Sequence, residues 1–182
     1  MSKFVNPCKV ITGPNTRWSY ANVWEAKSIN GSTPKYSVSL IIPKTDTATV
    51  EKINRAIKAA YEEGQSKLRG NSKFVPDLES LKLPLRDGGK ERKGDPAYAG
   101  CMFINANSST APGIVDADCN PILDRSEVYS GVYGRASINL YAFNPETDGH
   151  RNTWHPVRLS KRHAVYPASV RQAAGLREAE DR

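Results

Sequence analysis

Only one stretch of this chain, residues 46–63, has the spacing of an amphipathic helix, and three strand-like segments precede it. Val50, Ile53, Ile57, Ala60 and Tyr61 recur at intervals of three and four, Asp46 stands where an N-cap belongs, and Gly64 can end the helix. Glu62 and Glu63 fall at the negative end of the helix dipole, which favours fraying of the last turn. Before the helix, residues 4–13, 16–27 and 35–44 are rich in β-formers and are separated by Gly13-Pro14 and by Gly31 and Pro34. After it, residues 65–99 are polar and full of breakers, with a short strand expected around Leu83–Leu85. A strand over 99–109, a strand or turn over 113–118 and a long strand within 127–143 follow.

Three consecutive strands before a single helix argue against βαβ repeats and a doubly wound sheet. The order predicts a mainly β OB-fold: a five-stranded Greek-key barrel with an inserted helix at about 46–63 and a long loop region. The chain has 182 residues, of which 38% are hydrophobic, enough for a core without disulfides. No apolar run approaches the ~20 residues that cross a bilayer, so no membrane partner is expected. "MSKFVNPCKV" lacks the layout of a signal peptide, which points to the cytosol. Cys8, Cys101 and Cys119 are widely spaced, without a Cys-x-x-Cys pair, which argues for reduced thiols and against structural zinc.

Catalytic motifs are missing from the sequence. There is no Gly-x-Ser-x-Gly elbow, Walker loop or dinucleotide fingerprint. His150, His155 and His163 all lie in the C-terminal segment, outside any metalloprotease or deaminase motif. Asp87, Asp95, Asp116, Asp118 and Asp124 fall in turn-like stretches and read as turn and cap residues. No catalytic residue, metal or cofactor is expected.

Binding chemistry is better represented. The net charge is +7, and cations occur near aromatic residues. Such a pairing suits single-stranded nucleic acid, whose bases stack on rings while a cationic groove follows its phosphates. In "EVYSGVYGRASINLYAF" (127–143), Val128, Val132, Ala136, Ile138, Leu140 and Ala142 form a core parity. The opposite parity carries Tyr129, Tyr133, Arg135 and Tyr141, of which Tyr133 with Arg135 is the best pair. Trp18 and Tyr20, preceded by Arg17, stack outside if Ala21 and Val23 face inward, and pack inside if the parity is reversed. Phe103 offers a further ring. Lys35, Arg86, Lys90, Arg92 and Lys93 are the candidate phosphate contacts on loops and strand ends. Trp24, Tyr36 and Phe143 read as packing residues.

Several stretches together resemble a known family. "RWSYANVWEAK", "KYSVSLIIPKTDTATVEKI", "LPLRDGG", "CMFINANSSTAPGIVD" and "EVYSGVYGRASINLYAFN" are similar to bacteriophage single-stranded DNA-binding proteins with an oligonucleotide-binding barrel. The resemblance implies sequence-independent, non-catalytic binding of single-stranded DNA in phage replication or recombination, in the cytoplasm of the infected bacterial host. Duplex DNA, phage replication proteins and a second copy of the chain are the further partners to be weighed. It supports a binding domain over 1–145. Residues 146–182 depart from the family pattern and read as an atypical tail, partly ordered or forming a short helix. The frame of the coding DNA over this tail is open to question. Relatives often end in an acidic tail, and its weakness here implies less self-inhibition. A small phage nuclease or recombination enzyme and a structural interaction barrel are the alternatives.

Overall fold

The computed structural model describes residues 5–143, 157–159 and 166–167. Nine strands and three α-helices are present among them. The first strands are β1 (Lys9–Ile11), β2 (Arg17–Lys27) and β3 (Lys35–Pro43). Helices α1 (Thr47–Glu63) and α2 (Gln65–Arg69) come next, then β4 (Arg86–Asp87) and α3 (Gly88–Glu91). Strand β5 (Cys101–Ser108) precedes β6 (Gly134–Arg135) and β7 (Ser137–Leu140), and β8 (Val157–Leu159) and β9 (Tyr166–Pro167) are the last.

The fold is mainly β and its pairing is almost wholly antiparallel. The main sheet runs β1-β7-β8-β5-β3-β2, with β4 added to the first half of β5. Strand β8 is antiparallel to β7 and parallel to β5, and β9 pairs with β6. The sheet's path is open, and its strands do not close into a five-stranded ring among the described residues. One segment nevertheless touches strands at both ends of that path. Residues 131–134 bond to the start of β2 through Trp18 N to Val132 O (2.8 Å) and Gly134 N to Thr16 O (2.9 Å). The same chain then continues through Ala136 into β7 and pairs with β1.

One face of the sheet is apolar because alternate strand residues share a side. Val38, Leu40 and Ile42 of β3, Ile104 and Ala106 of β5, and Ile138 and Leu140 of β7 are buried in one core with Ile53, Ala56, Ile57 and Ala60 of α1. Each buried Ile or Leu contributes about 1.5–3 kcal/mol through removal from water.

The helix is seated by its cap. Asp46 accepts from Thr49 N (3.2 Å) and from the Thr49 hydroxyl (2.7 Å), and that hydroxyl accepts from Gly13 N (3.0 Å). A Cβ on residue 13 would lie 2.5 Å from Asp46 Oδ2, so only glycine lets the β1–β2 turn approach so closely. The last turn closes with Gly64 N on Ala60 O (3.0 Å), and the Cys8 thiol donates to Glu63 Oε2 (3.3 Å).

Two segments differ from expectation. The short strand expected at Leu83–Leu85 is instead β4, because Arg86 and Asp87 are the residues in register with Phe103 and Met102. The long strand expected in 127–143 is broken. Gly131 takes φ 112 in a turn closed by Val132 N on Tyr129 O, and Ala136 separates β6 from β7. Strand β8 takes the main sheet past residue 145. The short helix expected near the C-terminus lies outside the described residues.

Candidate nucleic-acid interface

The site begins with an irregularity in β2. Arg17, Trp18 and Ser19 face Ile41, Leu40 and Ser39, but the next pair is Asn22 with Ser37. Three steps along β2 match two along β3, so β2 carries one extra residue, a β-bulge. Since side chains alternate, that residue reverses which parity faces the core. Trp18 points inward before the bulge and Val23 points inward after it. Both orientations left open by the sequence are thus realised, one on each side. Trp18 is 1% exposed, and its indole N–H donates to Gly134 O at 3.2 Å. Its expected role in stacking is therefore corrected: it is a core residue. Tyr20, at the bulge, takes φ 49 and projects outward, 58% exposed.

The outer face is ordered by registration. Tyr133 bridges Arg17, Arg17 faces Ile41, Ile41 faces Phe103, and Phe103 faces Arg86. Directly opposed residues share a face, so these five form one row opposite the core. At about 4.8 Å per strand, the row is about 19 Å long. Its far end is covered. Phe103 is fully buried, with Tyr98 edge-on at 5.2 Å and the guanidinium groups of Arg86 and Arg92 at 4.5 and 5.6 Å. Phe103 therefore presents no ring to a base, which corrects the second sequence expectation. The parity was read correctly, but residues 86–98 fold over it. Tyr98 donates to Ser39 Oγ (3.0 Å) from within this cover. Gly88 makes it possible, since a Cβ there would lie 2.5 Å from Tyr98 O.

The cover carries the cationic loop. Arg86 is paired with Glu91 (3.0 Å) and stacked on Phe103, while Arg92 lies over Tyr98 at 5.5 Å. Lys44 holds Asp87 at 2.9 Å. That bond, with backbone N–H groups of Gly89 and Lys90, keeps the Asp87 carboxyl below the usual carboxylate range against the opposing effect of burial. Lys90 and Lys93 are exposed. Arg135 is exposed and reaches Thr12 O at 3.4 Å, and Lys35 is exposed at the start of β3.

Three tyrosines flank the open end of the row. Tyr20, Tyr129 and Tyr133 are each more than half exposed. Their backbones are tied together: Ala21 N donates to Ser130 Oγ (2.9 Å), and Gly131 N donates to Trp18 O (2.6 Å). Arg17 Nη2 lies 3.7 Å from the position a Cβ on Gly131 would take. From this cluster the outer face continues through Ser19, Ser37, Asn22, Asn105 and Asn107, with Asn22 donating to Ser37 Oγ at 3.3 Å. The structure thus gathers Arg17, Tyr20 and Tyr133, and gathers Arg86, Lys90, Arg92 and Lys93 in the cover. Tyr129 was a weaker choice from sequence, and its place beside Tyr20 depends on the Ala21–Ser130 bond, which no local pattern announces.

The family model described as "Enterobacter phage Enc34, ssDNA-binding protein" matches residues 8–152. The chain belongs to this family of phage single-stranded DNA-binding proteins. It is 27% identical over 142 residues to protein p50 of Acyrthosiphon pisum secondary endosymbiont phage 1, covering 74% of each. The fold is similar to that of the bacteriophage Enc34 single-stranded DNA-binding protein in complex with ssDNA (TM-score 0.67, 19% identity). That likeness covers 89% of this chain and 86% of the Enc34 chain. It is also similar to gp2.5, a single-stranded DNA binding protein encoded by bacteriophage T7 (TM-score 0.56, 16% identity), over 87% of this chain and 85% of that one.

Proposed function

We propose that this chain holds single-stranded DNA, the ligand of its family, along the outer face described above, without catalysis and with little sequence preference. Bases stack on Tyr133, Tyr20 and Tyr129, while Arg17, Arg135 and the loop cations Arg86, Lys90, Arg92 and Lys93 neutralise phosphates. Lys35 extends the same face. The observation that carries this reading is the juxtaposition of three exposed tyrosines with Arg17 on one hydrogen-bonded junction. Exposed rings cost solvation without a partner, and stacking on bases supplies one.

The segment 131–136, bonded to both β2 and β1, supports the finer reading of an OB-type Greek-key barrel, incompletely closed. The binding domain in this reading comprises residues 1–145 together with β8, which joins their sheet, and the setting is the cytoplasm of an infected bacterium.

Fluorescence titration with oligo-dT at two salt concentrations tests the proposal. Affinity should fall steeply with salt, and Tyr133→Ala and Tyr20→Ala should each weaken binding. Salt-independent binding, or full affinity in the double variant, would overturn it.

A further inference from the structure

The β2–β3 hairpin projects from the body. Residues 25–35 are all exposed, and the turn is held by its own bonds, Ser28 Oγ to Ser32 O and Ile29 N to Ser32 Oγ. At its base, Arg125 is paired with Glu25. Two features of this finger are unfavourable for an isolated protein. Lys27 and Lys35 face each other directly across the strand pair, and like charges in that position repel. No acidic residue occurs between Ala26 and Lys35 to offset them. At the tip, Ile29 is 61% exposed beside Asn30 and Gly31, both at positive φ.

A polyanion bearing flat apolar faces relieves both costs. Phosphate screens the paired ammonium groups, and an aliphatic tip inserted at an end of a base stack is removed from water, as aliphatic wedges are in kinked duplexes. Location adds to this. Lys35 shares its parity with Ser37, Ser39 and Ile41, so the charge pair lies on the same outer face as Arg17 and Tyr133. From Ile41 to Lys35 the strand spans six residues, about 20 Å.

We propose that this hairpin is a wedge for the junction between duplex and single strand. Lys27 and Lys35 grip the backbone where the strands part, and Ile29 covers the last base pair as the freed strand passes onto the tyrosine cluster. The proposal rests on the single-strand reading above and extends it to a distinct substrate, the forked duplex.

The experiment compares the full chain with Ile29→Asn and with Lys27→Gln/Lys35→Gln. Each is assayed for oligo-dT affinity and for opening of a forked duplex carrying a fluorophore–quencher pair. All three substituted positions are exposed, so folding is retained and is checked by thermal melting. Ile29→Asn should keep oligo-dT affinity within about twofold and reduce fork opening at least tenfold, and Ile29→Leu should restore it. The lysine pair variant should weaken fork binding and flatten its salt dependence. Absence of oligo-dT binding in the unaltered chain would overturn the parent reading. Normal oligo-dT binding with undiminished fork opening by Ile29→Asn would overturn this inference alone. Loss of a concentration-dependent dimer in Ile29→Asn would also overturn it, by assigning the tip to self-association.

Discussion

Arg17 and Tyr133 face each other across an isolated antiparallel bridge, so a guanidinium and a half-exposed ring stand side by side on the sheet's outer face. Stacking and phosphate contact can then be separated by substitution. Tyr133→Ala should weaken oligo-dT binding by about tenfold or more, from a stacking loss of about 1–3 kcal/mol per base. Arg17→Gln should reduce the slope of log K against log salt by about 0.7, the single-strand value for one phosphate. Titrations over a salt series check both.

Trp18 should behave as a core residue. Trp18→Ala should destabilise the fold by about 3–5 kcal/mol, the cost of emptying a large buried site. Urea unfolding measures this. In the native protein its indole should resist quenching by acrylamide, and oligo-dT should not protect it further. Strong protection of Trp18 emission by DNA would contradict its burial.

Gly88→Ala tests whether the cover over Phe103 depends on close packing. The new methyl would meet Tyr98 O at 2.5 Å and Tyr98 Cβ at 2.8 Å. A loss of about 1–3 kcal/mol is expected from overpacking. Limited proteolysis should cut within residues 86–98 sooner than in the unaltered chain, before the rest of the protein opens.

The Lys44–Asp87 bond gives a pH prediction. Asp87 is depressed chiefly by its hydrogen bond from Lys44, so the folded carboxyl releases its proton more readily than the unfolded one. The resulting stabilisation is full above the ordinary carboxylate pKa of about 3.9 and disappears as pH falls through the lower folded value. Melting curves of the unaltered chain and Asp87→Asn should therefore differ above about pH 4 and converge in stronger acid. A difference that persists unchanged at lower pH would show that the bond does not act through this proton.

Much of the fold was legible because its signals are local. The helix over 47–63 followed from a three-and-four spacing and an Asp cap, and the core parity of Val128 to Leu140 followed from alternation. Two of the proposed stacking residues were misread for non-local reasons. Trp18 sits on the inward side of a bulge whose extra residue is apparent only against Ser37–Ser39 of the partner strand. Phe103 is on the outer parity, as expected, but residues 86–98, which are outside its strand, fold over it. Alternation states which residues share a side; it does not state what lies on top of that side. Tyr20, Tyr129 and Tyr133 were each legible as candidates, but their meeting in one cluster was not, since residues 20 and 129 are joined through Ser130, across more than one hundred positions.

The extra residue near Tyr20 has an evolutionary consequence. A one-codon deletion there would remove the bulge without moving Asn22 off Ser37, so that ordinary alternation would keep both Trp18 and Val23 inside. Relatives that differ in length at this point cannot be compared position by position, and their contacts with DNA must be matched through hydrogen-bonded partners on the neighbouring strand.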